Sequence, residues 1–280
     1  MTDSTSTTPT AIAAKASSPP RSRWYHPTVS PEHGVYVVLI VSFLTGAAAA
    51  QTWTGATTLA LVCAFCGFQA EHPLVLQIKQ RRSLKPRFLV WGGLYSSAAL
   101  AIAIALYLQH PILLWLYLGA IAAFLIDATA VFYREQKSIA NELITFAAVC
   151  LSAPFAYATT TGTFSSLVFG LWALNTLFFG SAIFSVKLRK PKTSSLMPGA
   201  VYHAIALLMV SGLYGFGILP LLSASAASIV LLKFGLIVWQ QAWYRTAPIQ
   251  TVALIETLSA LSFLAIVALS VLPARLTAFP

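Results

Sequence analysis

The sequence predicts an all-α polytopic membrane protein of about nine transmembrane helices, with its N-terminus in the cytoplasm. Three observations carry this. First, the 280 residues are 58% hydrophobic and only 9% charged, where a soluble domain carries about 25% charged residues. Second, from Pro31 onward long apolar runs alternate with short polar punctuation. Third, the basic residues gather in every second connection between those runs. This composition excludes a water-soluble globule, a disordered chain and a coiled coil.

Taken in order, residues 1–30 differ from the rest and read as a disordered N-terminal tail. They are rich in Ser, Thr, Ala and Pro and carry Lys15, Arg21 and Arg23 against Asp3. They contain no apolar core of a signal peptide, although Ser-rich, acid-poor composition also suits an organellar transit peptide. Residues 31–280 form the transmembrane domain. A helix needs about 20 apolar residues to cross a bilayer core of about 30 Å. Nine stretches qualify: 33–51, 56–78, 88–108, 112–133, 142–161, 164–186, 199–220, 222–244 and 249–272. Their apolar residues do not alternate with a period of two, and the runs are too long for strands.

Charge placement tests that count. With alternate connections assigned to the inside, starting at the N-terminus, inside segments hold Lys15, Arg21 and Arg23, then Lys79, Arg81, Arg82, Lys85 and Arg87. Further along they hold Arg134 and Lys137, then Lys187, Arg189, Lys190 and Lys192, and finally Arg245. That is 15 of the 17 basic residues, with only Lys233 inside a helix and Arg275 outside. The positive-inside rule therefore selects nine helices, because losing one would scramble the pattern. The formal net charge of +10 reflects orientation and contact with anionic headgroups, and no nucleic-acid partner is expected.

Ionisable groups are costly in a membrane, about 2.5–3.5 kcal/mol each on insertion scales, so each is a functional candidate. Glu32, His33, Glu71, His72, Asp127, Asn175, His203 and Glu256 nearly all fall in the inner halves of their segments, which suggests a polar cavity opening to the cytoplasm. Each also has a plainer reading. Glu32-His33 starts a helix. Asp127 pairs with Arg134, seven residues on. Glu142 follows Asn141, a good N-cap. Lys233 in the eighth segment pairs with Glu256 in the ninth, roughly 6 Å apart in depth by helix rise. His203 is a hydrogen-bonded helix contact. Cys63 and Cys66 spell CxxC, but lie one turn apart in an apolar run without a second CxxC, which favours packing over metal or redox chemistry. Gly212, Gly215 and Gly217 are expected to let helices approach closely. The second segment is the most suggestive. Glu71 and His72 precede Pro73, which removes a backbone donor and frees the carbonyl of Gln69. No P-loop, HExxH, GxGxxG or nucleophile triad occurs.

Several of these stretches also resemble a known family. Pro31-Glu32-His33-Gly34, Glu71-His72-Pro73-Leu74 with the basic end Lys79–Arg82, and the stretch from Arg134 to Glu142 are similar to the YwiC-like family of bacterial membrane proteins, over about residues 31–192. The resemblance implies an integral membrane protein and no established activity. A fainter architectural likeness is to the UbiA-type prenyltransferases: nine helices, an inside N-terminus, and Tyr133 followed by Lys137 before a new helix. That likeness implies a UbiA-like helical bundle. The departure is the absence of aspartate-rich magnesium and diphosphate motifs, since the loop at Ser185–Lys190 has no acid.

The expected function is the binding of an isoprenoid or other amphiphilic lipid in a cytoplasm-facing cavity, with an ion- or proton-coupled transporter and an assembly subunit as alternatives. Whether it is an enzyme stays open. If it is, Glu71 and Asp127 are the acid or base candidates. His33, His72, Arg81, Arg82, Arg134, Lys137, Asn175, Lys187, Arg189 and His203 are the candidates for holding the substrate. No metal site or cofactor is nominated. The expected membrane is a bacterial plasma membrane, with a thylakoid as the alternative.

Overall fold

A computed structural model describes residues 25–81, 83–190 and 195–272. Among the described residues there is no strand, and nine helical spans are long and apolar enough to cross a membrane. The helices are α1 (His33–Ala50), α2 (Gly55–Gln80), α3 (Pro86–Gln109), α4 (Leu114–Tyr133), α5 (Ile139–Cys150), α6 (Ser152–Thr161), α7 (Ser166–Lys187), α8 (Met197–Gly215), α9 (Leu221–Ser225), α10 (Ala227–Trp239), α11 (Gln241–Thr246) and α12 (Ile249–Val271). α5 and α6 together make the fifth span, and α9 and α10 the eighth. The stretch read as a tail lies mostly outside the described residues.

The boundaries differ from the sequence reading where local chemistry intervenes. The fifth span is interrupted at Leu151, because Pro154 has no N–H to give the Cys150 carbonyl. It also begins earlier than expected. Ser138, not Asn141, is its N-cap, and its hydroxyl accepts from the Asn141 N–H. The seventh span stops at Gly215 rather than 220, because Gly217 takes a left-handed φ of 68°. The Gly217 and Ile218 N–H groups then close on the Tyr214 and Leu213 carbonyls, as in a Schellman ending. The expected close packing at Gly212, Gly215 and Gly217 is not there: nothing lies within 4 Å of where a Cβ would stand. Close approach occurs instead at Gly46, where an ideal Cβ would sit 1.9 Å from the Ala153 carbonyl oxygen. In the eighth span the helix ends at Trp239, and the residues up to Thr246 form the separate α11.

α7 forms the centre of the bundle. Its best apolar window is 61% buried, against 11% in α3 and in the fourth span, so the apolar faces of those two are left for lipid. α1 packs against α5, α6, α7 and α12, and α2 packs along α3. One core joins Val38, Leu171, Phe178, Val230 and Phe263. A second joins Phe43, Ala60, Leu106, Leu113 and Phe155.

Polar contacts between connections separate the two ends. At one end Arg87 donates to the His26 and Pro27 carbonyls, Lys187 to the Lys137 carbonyl, and Arg189 to the Tyr244 carbonyl. At the other, Gln51 donates to the Val271 carbonyl and Thr57 bonds Thr160. The first end is the basic one throughout. The expected outcome of cysteine labelling in a cysteine-free background (C63A/C66A/C150A) follows. Ser83→Cys reacts with a membrane-impermeant maleimide only after cells are opened, and Thr161→Cys reacts in intact cells.

Candidate functional site

The basic end of α2 and α4 brings together the largest group of sequence-predicted residues. Glu71 and His72 lie on α2 and are half-buried. The Glu71 carboxyl is within electrostatic reach of Asp127 on α4, of Glu32 ahead of α1, and of Lys79. Among the described residues Glu71 has no hydrogen-bond or ion-pair partner. Asp127 does not pair with Arg134, as one reading of the sequence expected. It accepts instead from the Asn141 side chain of α5 at 2.7 Å, and that amide also donates to the Gln136 carbonyl. Arg134 is exposed and caps α4 with a left-handed φ of 65°. Arg81 is the C-cap of α2, and its guanidinium lies 4.5 Å from the ring centre of Phe132 on α4. Arg82 lies outside the described residues.

By helical rise, Arg81 stands about 15 Å beyond Glu71, and Arg134 about 10 Å beyond Asp127. Bases therefore rim this end and carboxylates lie deeper. His33 is exposed in the first turn of α1, with its ring centre 6.5 Å from that of Tyr36. Tyr36 donates to the Ser30 carbonyl and accepts from the Gln69 amide, whose oxygen accepts from the Ser30 N–H at 3.1 Å. This triangle straps residues 25–32 across α1 and α2, and Thr28 and Ser30 are buried in it. From the sequence, Tyr36 is not singled out, and Gln69 is named only for its backbone carbonyl and Asn141 only as an N-cap. The available signal was that a polar side chain inside a span needs a partner.

The remaining candidates occupy other places. Asn175 on α7 is fully buried at the centre of a polar knot: its amide donates to Thr45 Oγ1 at 2.9 Å and to the Leu171 carbonyl, and its oxygen accepts from Ser42. Lys187 forms an ion pair with Glu142 at 2.7 Å. The Lys137 side chain is exposed at the same end, and its carbonyl takes the Lys187 contact. Arg189 clasps the Tyr244 and Ala247 carbonyls at 2.7 and 2.5 Å, and its guanidinium lies 5.5 Å from the centre of the Tyr244 ring. Burial pushes the Tyr244 phenol up to about 12, against the opposing pull of the Arg189 charge. Lys233 and Glu256 form the pair expected from their depths, at 2.7 Å. His203 on α8 bonds the Gly199 carbonyl through Nδ1 at 2.6 Å and stacks on Phe234, centroids 4.0 Å apart. Cys63 donates to the Ala99 carbonyl across the α2–α3 contact and forms no disulfide. Among the described residues no three His, Cys, Asp or Glu side chains converge as metal ligands would.

Comparison with known proteins separates these places further. Residues 29–157 match the family described as YwiC-like protein. This segment is YwiC-like. The YwiC-like segment runs from just before α1 into α6, 129 of the 280 residues (157 − 29 + 1). It contains Glu32, His33, Glu71, His72, Arg81, Asp127, Arg134, Lys137 and Asn141, and so the whole α2–α4 group. Asn175, Lys187, Arg189, His203 and the Lys233–Glu256 pair lie beyond it. No curated protein and no solved structure matches the chain.

Proposed function

We propose that this integral membrane protein binds an amphiphilic lipid at the basic end of α2 and α4. One observation carries the reading. Glu71 is a half-buried carboxylate inside a membrane span, without a partner among the described residues, while Asp127, Glu142 and Glu256 each have one. A carboxylate held at that depth is costly and signals use. Arg81 and Arg134 at the rim suit an anionic headgroup, and Arg81 is already oriented over Phe132. The flanking apolar faces of α3 and α4 offer a path for an isoprenoid or acyl tail. If a reaction occurs, Glu71 and Asp127 are its acid and base candidates. A bacterial plasma membrane is the expected setting.

A photoreactive isoprenyl monophosphate carrying a diazirine in its tail tests this. The expected crosslinks fall on peptides from α2 and α4 and are lost with Arg81→Ala combined with Glu71→Gln. Crosslinks spread evenly over lipid-facing helices would contradict the reading. A second reading rests on Glu71 lying within electrostatic reach of both Glu32 and Asp127: acidic neighbours on two sides of one carboxyl suit a cation or proton path. It predicts Glu71-dependent proton flux in liposomes without any specific crosslink.

A further inference from the structure

Residues 25–32, ahead of α1, form no helix or strand and lie across the basic end of three helices. At the start of this strap Arg87, in the first turn of α3, donates to the His26 and Pro27 carbonyls at 2.8 and 2.9 Å. Further along, the Gln69 side chain of α2 accepts from the Ser30 N–H at 3.1 Å, and Tyr36 of α1 donates to the Ser30 carbonyl at 3.1 Å. Gln69 and Tyr36 are bonded to each other, so one triangle joins strap, α1 and α2. Thr28 and Ser30 are each 5% exposed, whereas Val29 between them is 54% exposed. The strap therefore has an inner and an outer face.

The bonds that hold it are unequal. Those from Arg87 are exposed, and water can take their place at little net cost. The Gln69–Ser30–Tyr36 triangle is partly buried and is the stronger hold. Against it, Thr28 Oγ1 is buried without a hydrogen-bond partner among the described residues. Ordering a segment outside any helix also costs chain entropy. A segment held by few bonds against such costs is poised to open locally.

Charge biases that opening. Ser30 is held by Gln69, two residues before Glu71 on α2, and Glu32 at the end of the strap lies within electrostatic reach of both Glu71 and His72. The other charges near Glu71 are Asp127 on α4 and Lys79 on its own helix, and neither belongs to the strap. Closing the strap thus brings one more carboxylate toward Glu71, and like charges oppose it. A proton on Glu71, or a cationic group bound there, removes that opposition.

We propose that residues 25–32 are a gate over the α1–α2 seam, shifted toward closed when Glu71 is neutralised and toward open when it is charged. Beneath the gate lie the half-buried rings of Tyr36, Phe65 and Phe68, and opening exposes this seam and Gln69 at the basic end. The coupling is reciprocal, so an open strap favours the charged form of Glu71. This inference goes beyond the lipid reading and does not rest on it, since it needs only the charge of Glu71.

The test is thiol labelling of the full-length protein in nanodiscs, in the cysteine-free background C63A/C66A/C150A, with a hydrophilic maleimide. Thr28→Cys reports opening, and the hydroxyl it replaces has no hydrogen bond to lose. Val29→Cys, on the outer face, is the reference. Thr28→Cys is expected to react about tenfold more slowly than Val29→Cys, as local opening limits it. Gln69→Leu is expected to speed Thr28→Cys about tenfold, the ratio one buried hydrogen bond gives, and to leave Val29→Cys unchanged. Tyr36→Phe, which keeps the ring, is expected to act in the same direction. Glu71→Gln and Glu32→Gln are each expected to slow Thr28→Cys about fivefold, and their combination no further, because both remove the same repulsion. Equal rates for Thr28→Cys and Val29→Cys in otherwise unaltered strap and helices would overturn the gate, an outcome readable even if Gln69→Leu fails to fold. A Thr28→Cys rate unmoved by Gln69→Leu and Tyr36→Phe would also overturn it. A rate unmoved by Glu71→Gln and Glu32→Gln would overturn its coupling to Glu71. No lipid probe is involved, so failure here is distinct from failure of the crosslinking at α2 and α4.

Discussion

Lys233→Leu is expected to destabilise the protein by about 3 kcal/mol, the lower end for breaking a buried ion pair. The lower end applies because the Glu256 side chain keeps about a quarter of its exposure, while Lys233 keeps 4%. The cost arises from what is left behind. Glu256 Oε2 loses the Lys233 ammonium donor at 2.7 Å, and its Oε1 is already buried without a partner. The lone carboxylate must then either stay charged in an apolar setting or take up a proton. Lys233→Leu combined with Glu256→Leu is expected to recover most of the loss, because an apolar pair of similar volume replaces the ion pair. Thermal unfolding in mild detergent at fixed lipid content checks this. If the double variant were as unstable as the single one, the two residues would not act as a pair.

Gly46→Ala is the second large effect, again about 3 kcal/mol or failure of the protein to accumulate. An added methyl would lie 1.9 Å from the Ala153 carbonyl oxygen and 2.6 Å from its carbon. Both are backbone atoms, so no rotamer change relieves the clash, and overpacking of this kind lies at or beyond the usual 1–3 kcal/mol. The helices would have to separate where α1 meets α6, breaking the bond from the Ser152 hydroxyl to the Leu39 carbonyl at 3.3 Å. Gly93→Ala is the control. Nothing lies within 4 Å of a Cβ there, and an exposed helical Gly→Ala change is neutral or slightly stabilising. Equal accumulation and melting of both variants would contradict the α1–α6 packing.

Hydropathy and the placement of bases carried the fold because the bilayer makes length and charge decisive. Span ends near Gln109, Tyr133 and Lys187 are readable to within a residue or two, and the pairing of Lys233 with Glu256 follows from depth alone. Side-chain partnerships between distant helices are not readable in that way. Periodicity places Ser42 and Thr45 one turn apart, but cannot say that both face Asn175 on α7. Nor does it show that Asp127 turns to Asn141 rather than down its own helix to Arg134. Glycine pattern misled for a related reason. The run from Gly212 to Gly217 has the spacing of a packing motif, but ends a helix in open space, while the isolated Gly46 makes the close contact. Approach depends on what stands opposite, which a single chain's sequence does not display.

The same limit shaped the site. An inner-half cluster of acids, histidines and bases was expected to form one cavity. The structure distributes it among a knot at Asn175, a clasp at Arg189, ion pairs at Glu142 and Glu256, the His203 contact with Gly199, and the α2–α4 group. Of these, the α2–α4 group lies within the YwiC-like segment. The UbiA-like bundle stays an architectural likeness drawn from helix number and sidedness.

The central claim is that Glu71 serves a ligand whereas the paired polar residues hold helices together. Native mass spectrometry with lipidomics, comparing wild-type protein and Glu71→Gln from the same mild extraction, tests it most directly. The predicted result is a discrete amphiphile bound to the wild type and absent from Glu71→Gln, with both proteins melting at the same temperature. An identical lipid profile together with a lowered melting temperature for Glu71→Gln would contradict the claim and place Glu71 among the structural residues.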